Sequence, residues 1–173
     1  MKRCVNALKE WTGKARVTII YDSVVDEFTD ECLFQAVKGK PNVAIIATTT
    51  DGDVFGGFYS VAVMEQYEEF FYDPSIFLFS FESHGRCMTP QRFLVKEERR
   101  RGNASVEFCN DDTFGRLVIF YSGCGGISLG NEESFTWCNA LSSGFVGIED
   151  TTLTGTTGHE KFTCYRLVAI QLE

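Results

Sequence analysis

Apolar and polar positions change rhythm several times along the chain, and each change marks an element. Residues 1–13 place Val5, Leu8 and Trp11 at helical spacing with Gly13 after them, which predicts a short helix with those three side chains inward. Val17 to Tyr21 alternates as a strand. Thr29 to Gly39 is punctuated as a helix at both ends: Thr29 caps it, Asp30 and Glu31 sit in the first turn, Lys38 in the last, and Gly39 lies beyond. Its apolar residues Cys32, Leu33, Ala36 and Val37 form one stripe, so one face meets a core and the other meets water.

The strongest β signal follows. Val43 to Thr50 and Val54 to Tyr59 are apolar or β-branched runs joined by Asp51-Gly52, a pair suited to positive φ, and together they predict a hairpin. Met64 to Tyr72 reads as a short amphipathic helix closed by Asp73-Pro74. Ile76 to Phe81 is too continuous for a half-exposed strand and is expected to be central, with both faces covered. Arg92 to Val95, Ser105 to Phe108 and Leu117 to Tyr121 are further strands. Lys161 to Leu172, apolar on both phases, is expected to be a central closing strand. Short strands with few and short helices predict a mainly β (α+β) fold: a two-sheet antiparallel β-sandwich with peripheral helices.

The order of these segments carries a resemblance. A Val17 to Tyr21 strand precedes a capped helix and the strand Pro41-Asn42-Val43-Ala44-Ile45-Ile46. Thr50-Asp51-Gly52-Asp53-Val54-Phe55-Gly56-Gly57-Phe58 then resembles the "dG-x-vFGgy" hairpin of TLDc domains, and Phe77-Leu78-Phe79-Ser80-Phe81 resembles that family's "FLFsl" strand. Asp111-Asp112-Thr113-Phe114-Gly115 is similar to the "Fg" segment, Gly126 to Gly130 to the small-residue stretch after it, and Phe162 to Leu172 to the closing strand. The chain is therefore read as a stand-alone TLDc domain over residues 1–173, with a core at about 11–172. The resemblance makes Asp51, Gly52, Phe55, Gly56, Gly57 and Phe79 structural motif residues. It implies resistance to oxidative damage, binding and regulation of the vacuolar-type proton ATPase through its subunits, and no accepted catalytic mechanism. Family members commonly carry a Glu where this chain has Val168, and Cys164, Arg166 and Ile170 around it also diverge.

Composition sharpens the reading. A length of 173 residues fits one domain, and 16 Phe imply an interior built on rings. A net charge of −8 repels phosphate backbones. The basic stretch Arg99-Arg100-Arg101 ends the run Lys96-Glu97-Glu98, whose acids dilute it, so it is read as a solvated loop; a nucleic-acid-binding stress regulator is the alternative that would use it. No apolar run is long enough to span a bilayer and the first ten residues lack a signal-peptide core, which predicts a cytoplasmic protein without membrane insertion. The seven Cys lack any C-x-x-C pair and are expected to be free thiols.

Candidate chemistry is thin. His84 and His159 are the two imidazoles; His84-x-x-Cys87 has no second ligand pair for zinc, and pairing either His with Cys87 or Cys124 as a nucleophile matches no motif. Asp51-Gly52-Asp53 lacks the further oxygens of a calcium loop, and Gly123-Cys124-Gly125-Gly126 fails the dinucleotide and P-loop patterns. The expectation is no catalytic residue, metal or cofactor. Cys124, flanked by glycines, is the candidate redox thiol, the residue a thiol-based oxidant-scavenging enzyme or redox sensor would use, although its nearest basic neighbour in sequence is Arg116. The acidic pairs Asp26-Glu27, Asp30-Glu31, Glu68-Glu69, Asp111-Asp112 and Glu132-Glu133 are candidates for a face that docks a basic protein.

Overall fold

Two antiparallel sheets enclose one aromatic interior in the computed structural model, which describes residues 2–66, 71–110, 115–131, 136–156 and 160–173. The chain runs α1 (Lys2–Thr12), β1 (Val17–Asp22), α2 (Asp30–Val37), β2 (Val43–Thr49), β3 (Val54–Tyr59), β4 (Phe71–Tyr72) and β5 (Phe77–Glu82). It continues through β6 (Gln91–Leu94), β7 (Ala104–Phe108), β8 (Arg116–Ser122), β9 (Gly125–Gly130), β10 (Trp137–Asn139), α3 (Leu141–Gly144) and β11 (Cys164–Leu172). One sheet has the order β1-β11-β2-β3-β5-β6 and the other β10-β9-β8-β7-β4. The mainly β sandwich expected from the segment pattern is what forms.

Alternation decides which side chains meet between the sheets. On β3, Phe55 and Tyr59 point into the shared core with Val106, Phe108 and Phe120 of the facing sheet, while Phe58 points the other way. That outer face is covered by α1, whose Leu8 is buried with Phe77, Phe79, Ile170 and Leu172. Trp11 lies flat on Phe81, with ring centroids 6.0 Å apart and planes 10° from parallel. α2 packs against β1 and β8 through Leu33, Phe34 and Val37, and Thr29 caps it by accepting the Cys32 N–H at 3.3 Å.

Glycine lets the sheets close where a ring must fit. A Cβ on Gly57 would stand 2.6 Å from the Phe120 ring of the opposite sheet, and one on Gly56 would stand 1.9 Å from the Ile45 carbonyl oxygen and 2.9 Å from Phe79 Cζ. The Phe-Gly-Gly run is thus a socket with a phenylalanine on each side.

Four expectations need correction. Ile76–Phe81 and the closing strand are not at the centre of their sheet; β5 and β11 each lie one strand in from an edge, with neighbours on both sides, and β2 and β3 occupy the middle. The helix expected over 64–72 is not observed where it is described: Phe71–Tyr72 is strand β4, paired with Val106 and Ser105 of β7, residues 64–66 are irregular, and the remainder lies outside the described residues. The glycine-rich stretch 123–130, whose sequence suits an exposed loop, is instead largely β9, buried along its whole length, because Gly125 and Gly126 let the Ala140 and Phe120 carbonyls approach to distances no Cβ would tolerate. β10 and α3 had no periodic signal to announce them; each is four residues or shorter.

Candidate functional site

Strand polarity gathers one set of loops at one end of the six-stranded sheet. β1, β2 and β5 finish there, and β3, β6 and β11 begin there. The β2–β3 turn is closed by Gly52, at φ +91°, whose N–H donates to the Thr49 carbonyl at 3.0 Å, while the Asp53 N–H donates to Thr49 Oγ1 at 3.0 Å. Asp51 stays exposed at the tip, but the turn drives Asp53 inward, where it is only 2% exposed.

A buried carboxylate requires partners. His84 Nδ1 lies 2.9 Å from Asp53 Oδ1, and Arg86 Nη2 lies 2.5 Å from the same oxygen. The β5–β6 loop turns sharply to deliver both side chains, with His84 at φ +49° and Gly85 at φ +83°. The Glu82 carboxylate receives the Ser83 and His84 N–H groups at 3.1 Å each, and Ser83 Oγ receives the Cys87 N–H at 2.7 Å. Arg86 then reaches a third segment, donating to the Thr152 and Leu153 carbonyls at 3.1 and 3.0 Å. A single carboxylate therefore ties together the hairpin tip, the β5–β6 loop and the 152–155 turn. Beside it, burial pushes the Cys138 thiol up to about 12, with Asp53 adding to the shift and a Thr154 hydrogen bond opposing it.

A second brace stands at the same end. Arg166 grips Asp22 in two-pronged fashion, Nε to Oδ1 at 3.0 Å and Nη2 to Oδ2 at 2.6 Å. The hydrogen bonds from Arg166 hold the Asp22 carboxyl below the usual carboxylate range, with the Val24 N–H assisting, and Asp22 in turn holds the guanidinium up. Tyr21 donates to the Glu27 carbonyl at 3.0 Å, and its phenol is shifted upward mainly by burial. Between these anchors the loop presents Val24 and Val25 to solvent at 66% and 82% exposure.

Chemically the cluster is a clamp. Among the described residues Asp53 is the one side chain hydrogen-bonded to the His84 imidazole, and no group of three possible metal ligands occurs. His84 and Cys87 share a loop, but the imidazole turns to Asp53; His159 lies outside the described residues.

The other sequence-derived candidates scatter. Phe55, Gly56, Gly57 and Phe79 are buried packing positions, and Cys124 is exposed on the β8–β9 turn with Sγ 3.2 Å from Ser143 Oγ. The guanidinium that reaches this turn is Arg99, not Arg116: a Cβ on Gly123 would meet Arg99 Nε at 3.0 Å. Val168 faces outward on β11, lining with Ile19, Ile46 and Ile170 an apolar groove of about 230 Å³ beside α1. Asp26-Glu27 and Asp30-Glu31 flank the start of α2, and the other three acidic pairs lie outside the described residues. Sequence reasoning missed Arg86 and Arg166, since each answers an acid far away in the chain and spacing holds no trace of the pairing.

The family model for the TLDc domain matches residues 2–166 of the 173. No curated protein matches the chain. No helix among the described residues is long and apolar enough to cross a membrane.

Proposed function

Because this chain belongs to the TLDc domain family, we propose that it is a non-catalytic, cytoplasmic protein-binding module that protects against oxidative stress, with subunits of the vacuolar-type proton ATPase as its partner. The observation that carries the reading is the Asp53–His84–Arg86 brace. It neutralises its own charges internally and fixes three loops as one surface, which suits a docking end more than a reaction centre. The unburied Val24 and Val25 and the acids around them give that end an apolar point with a negative surround, a form that fits a basic partner surface.

The test is co-precipitation of purified ATPase subunits with the tagged protein, alongside Val25→Asp as a surface variant that leaves the fold alone. Capture lost in Val25→Asp supports the reading. Capture that ignores the substitution, or none at all, removes it.

A second reading has its own observation: Cys124 is the exposed thiol, and a guanidinium packs against the residue before it. A thiol enzyme or sensor would use it. Peroxide consumption over many turnovers, abolished by Cys124→Ser, would replace the first reading with this one.

A further inference from the structure

The opposite end of the six-stranded sheet has a different character. A cleft of about 380 Å³ opens there between the end of α1, the start of β2, and the strands β3, β5 and β6. Its apolar wall includes Trp11, Phe58 and Phe77, and its polar rim includes Asn42. Arg92 and Arg100 both line it, and none of its described lining residues is acidic. In a chain of net charge −8, a concave surface with two guanidinium groups and no carboxylate is a local reversal of sign.

Their hydrogen bonding leaves capacity over. Arg92 spends one N–H, from Nη1, on the Trp11 carbonyl at 2.8 Å, which fixes the side chain across the cleft mouth. Arg100 pairs through Nη1 with Glu97 at 3.0 Å, but that Glu side chain is 84% exposed, so solvent screens the pair. Arg100 Nε is buried with no acceptor, an uncompensated donor of the kind that folded proteins seldom keep. The nearby buried acid is already committed: Asp73 accepts from the Ser60 N–H, from Ser60 Oγ at 3.0 Å and from the Ser75 N–H at 2.8 Å, and forms no ion pair with either arginine. At the hairpin end each guanidinium has a shielded carboxylate, whereas here Arg100 has a solvent-exposed one and Arg92 a backbone carbonyl.

We infer that this cleft binds a small organic phosphate, with its oxyanion on Arg92 and Arg100 and a flat apolar group against Trp11, Phe58 and Phe77. Guanidinium donors match phosphate oxygens in pairs, an oxyanion carrying about two charges answers two cations, and aromatic walls reward a planar group. The volume is in the usual range for a small-ligand site.

Phenyl phosphate is the probe, followed by two-dimensional NMR of the whole chain. Saturable binding at about 1 mM or tighter is expected, with the indole N–H signal of Trp11 moving and that of Trp137 still. Inorganic phosphate alone should bind about tenfold more weakly, since it leaves the rings uncovered. Arg92→Gln and Arg100→Gln should each weaken phenyl phosphate about tenfold or more, while Arg101→Gln, exposed and outside the cleft, should change it less than twofold. Thermal melting of each variant separates lost binding from lost folding, and having two arginine variants keeps the test open if one fails to fold. The inference is overturned by absence of binding, by inorganic phosphate binding as well as phenyl phosphate, or by Arg101→Gln losing as much as Arg100→Gln. A single-stranded oligonucleotide that binds when phenyl phosphate does not would also overturn it, and would move the basic stretch to nucleic-acid binding.

Discussion

The two ends of the six-stranded sheet are built from the same kinds of residue and use them in opposite ways. At the hairpin end every guanidinium brought inward meets a carboxylate: Arg86 takes Asp53 and Arg166 takes Asp22. At the other end Asp73 is satisfied by hydroxyl and backbone donors, and the arginines face a cleft. Charge matched by a shielded partner braces a structure; charge at a concave surface whose partner is a solvent-exposed acid or a backbone carbonyl is available to something else. The hairpin end is thus a rigid platform, and the cleft end is where a ligand can be held.

The largest effect should fall on both ends together. Gly57→Val forces a side chain into the Phe120 ring, with a Cβ alone 2.6 Å from it, and should cost about 3 kcal/mol or more in urea denaturation. A Gly57→Val protein as stable as the parent would mean that the sheets can part and that the two ends do not share one interior.

Asp53→Ala attacks the braced end alone. It leaves His84 and Arg86 without their common acid, and because Arg86 is about a quarter exposed the loss should be moderated to about 2–3 kcal/mol. Hydrogen exchange should rise in the loops holding His84 and Thr152 while the arginine cleft stays protected; equal loosening at both ends would dissolve the contrast.

The Asp22–Arg166 pair adds a pH test at the same end. The folded carboxyl is held below its unfolded value, so its contribution is complete above about pH 4 and is lost as pH falls through the folded value. Arg166→Met should cost about 1 kcal/mol at pH 7, and the gap from the parent should close as the solution is acidified below pH 4. A gap that persists unchanged in acid would assign the arginine's role to its packing.

Thiol chemistry sharpens the comparison from another side. Cys124, on the turn reached by Arg99, should be alkylated first, whereas Cys138, beside Asp53, should resist until the protein unfolds. Because the folded Cys138 thiol is pushed up to about 12 and the unfolded thiol ionises near 8.5, its contribution is complete below about pH 8.5 and falls away as pH rises. The smallest effect should be that of Arg100→Gln on stability, within about 0.5 kcal/mol, since its partner Glu97 is exposed to water.

Local rules were enough for much of the fold. The Thr29 cap, the Asp51-Gly52 turn, the alternation of β2 and β3, and the double-phase apolarity of β11 each depend on neighbours in sequence, and each formed where its residues predicted. The resemblance marked the Gly56-Gly57 pair as structural but not the rings it makes room for, Phe79 and Phe120, which only pairing and sheet stacking could select. β9 was hidden because glycine carries no periodicity, and its strand is made by carbonyls that come near only after the chain has folded. The functional geometry was the least legible part. Asp53 meets His84 and Arg86 across 31 and 33 residues, and Asp22 meets Arg166 across 144, distances at which sequence holds composition and no register. Sequence determined most of the segments that become strands and the acidic average charge of the chain. Tertiary structure alone decided which acids would find cations and which cations would be left facing a cleft, because electrostatic pairing acts through space and the chain reaches those distances only by folding.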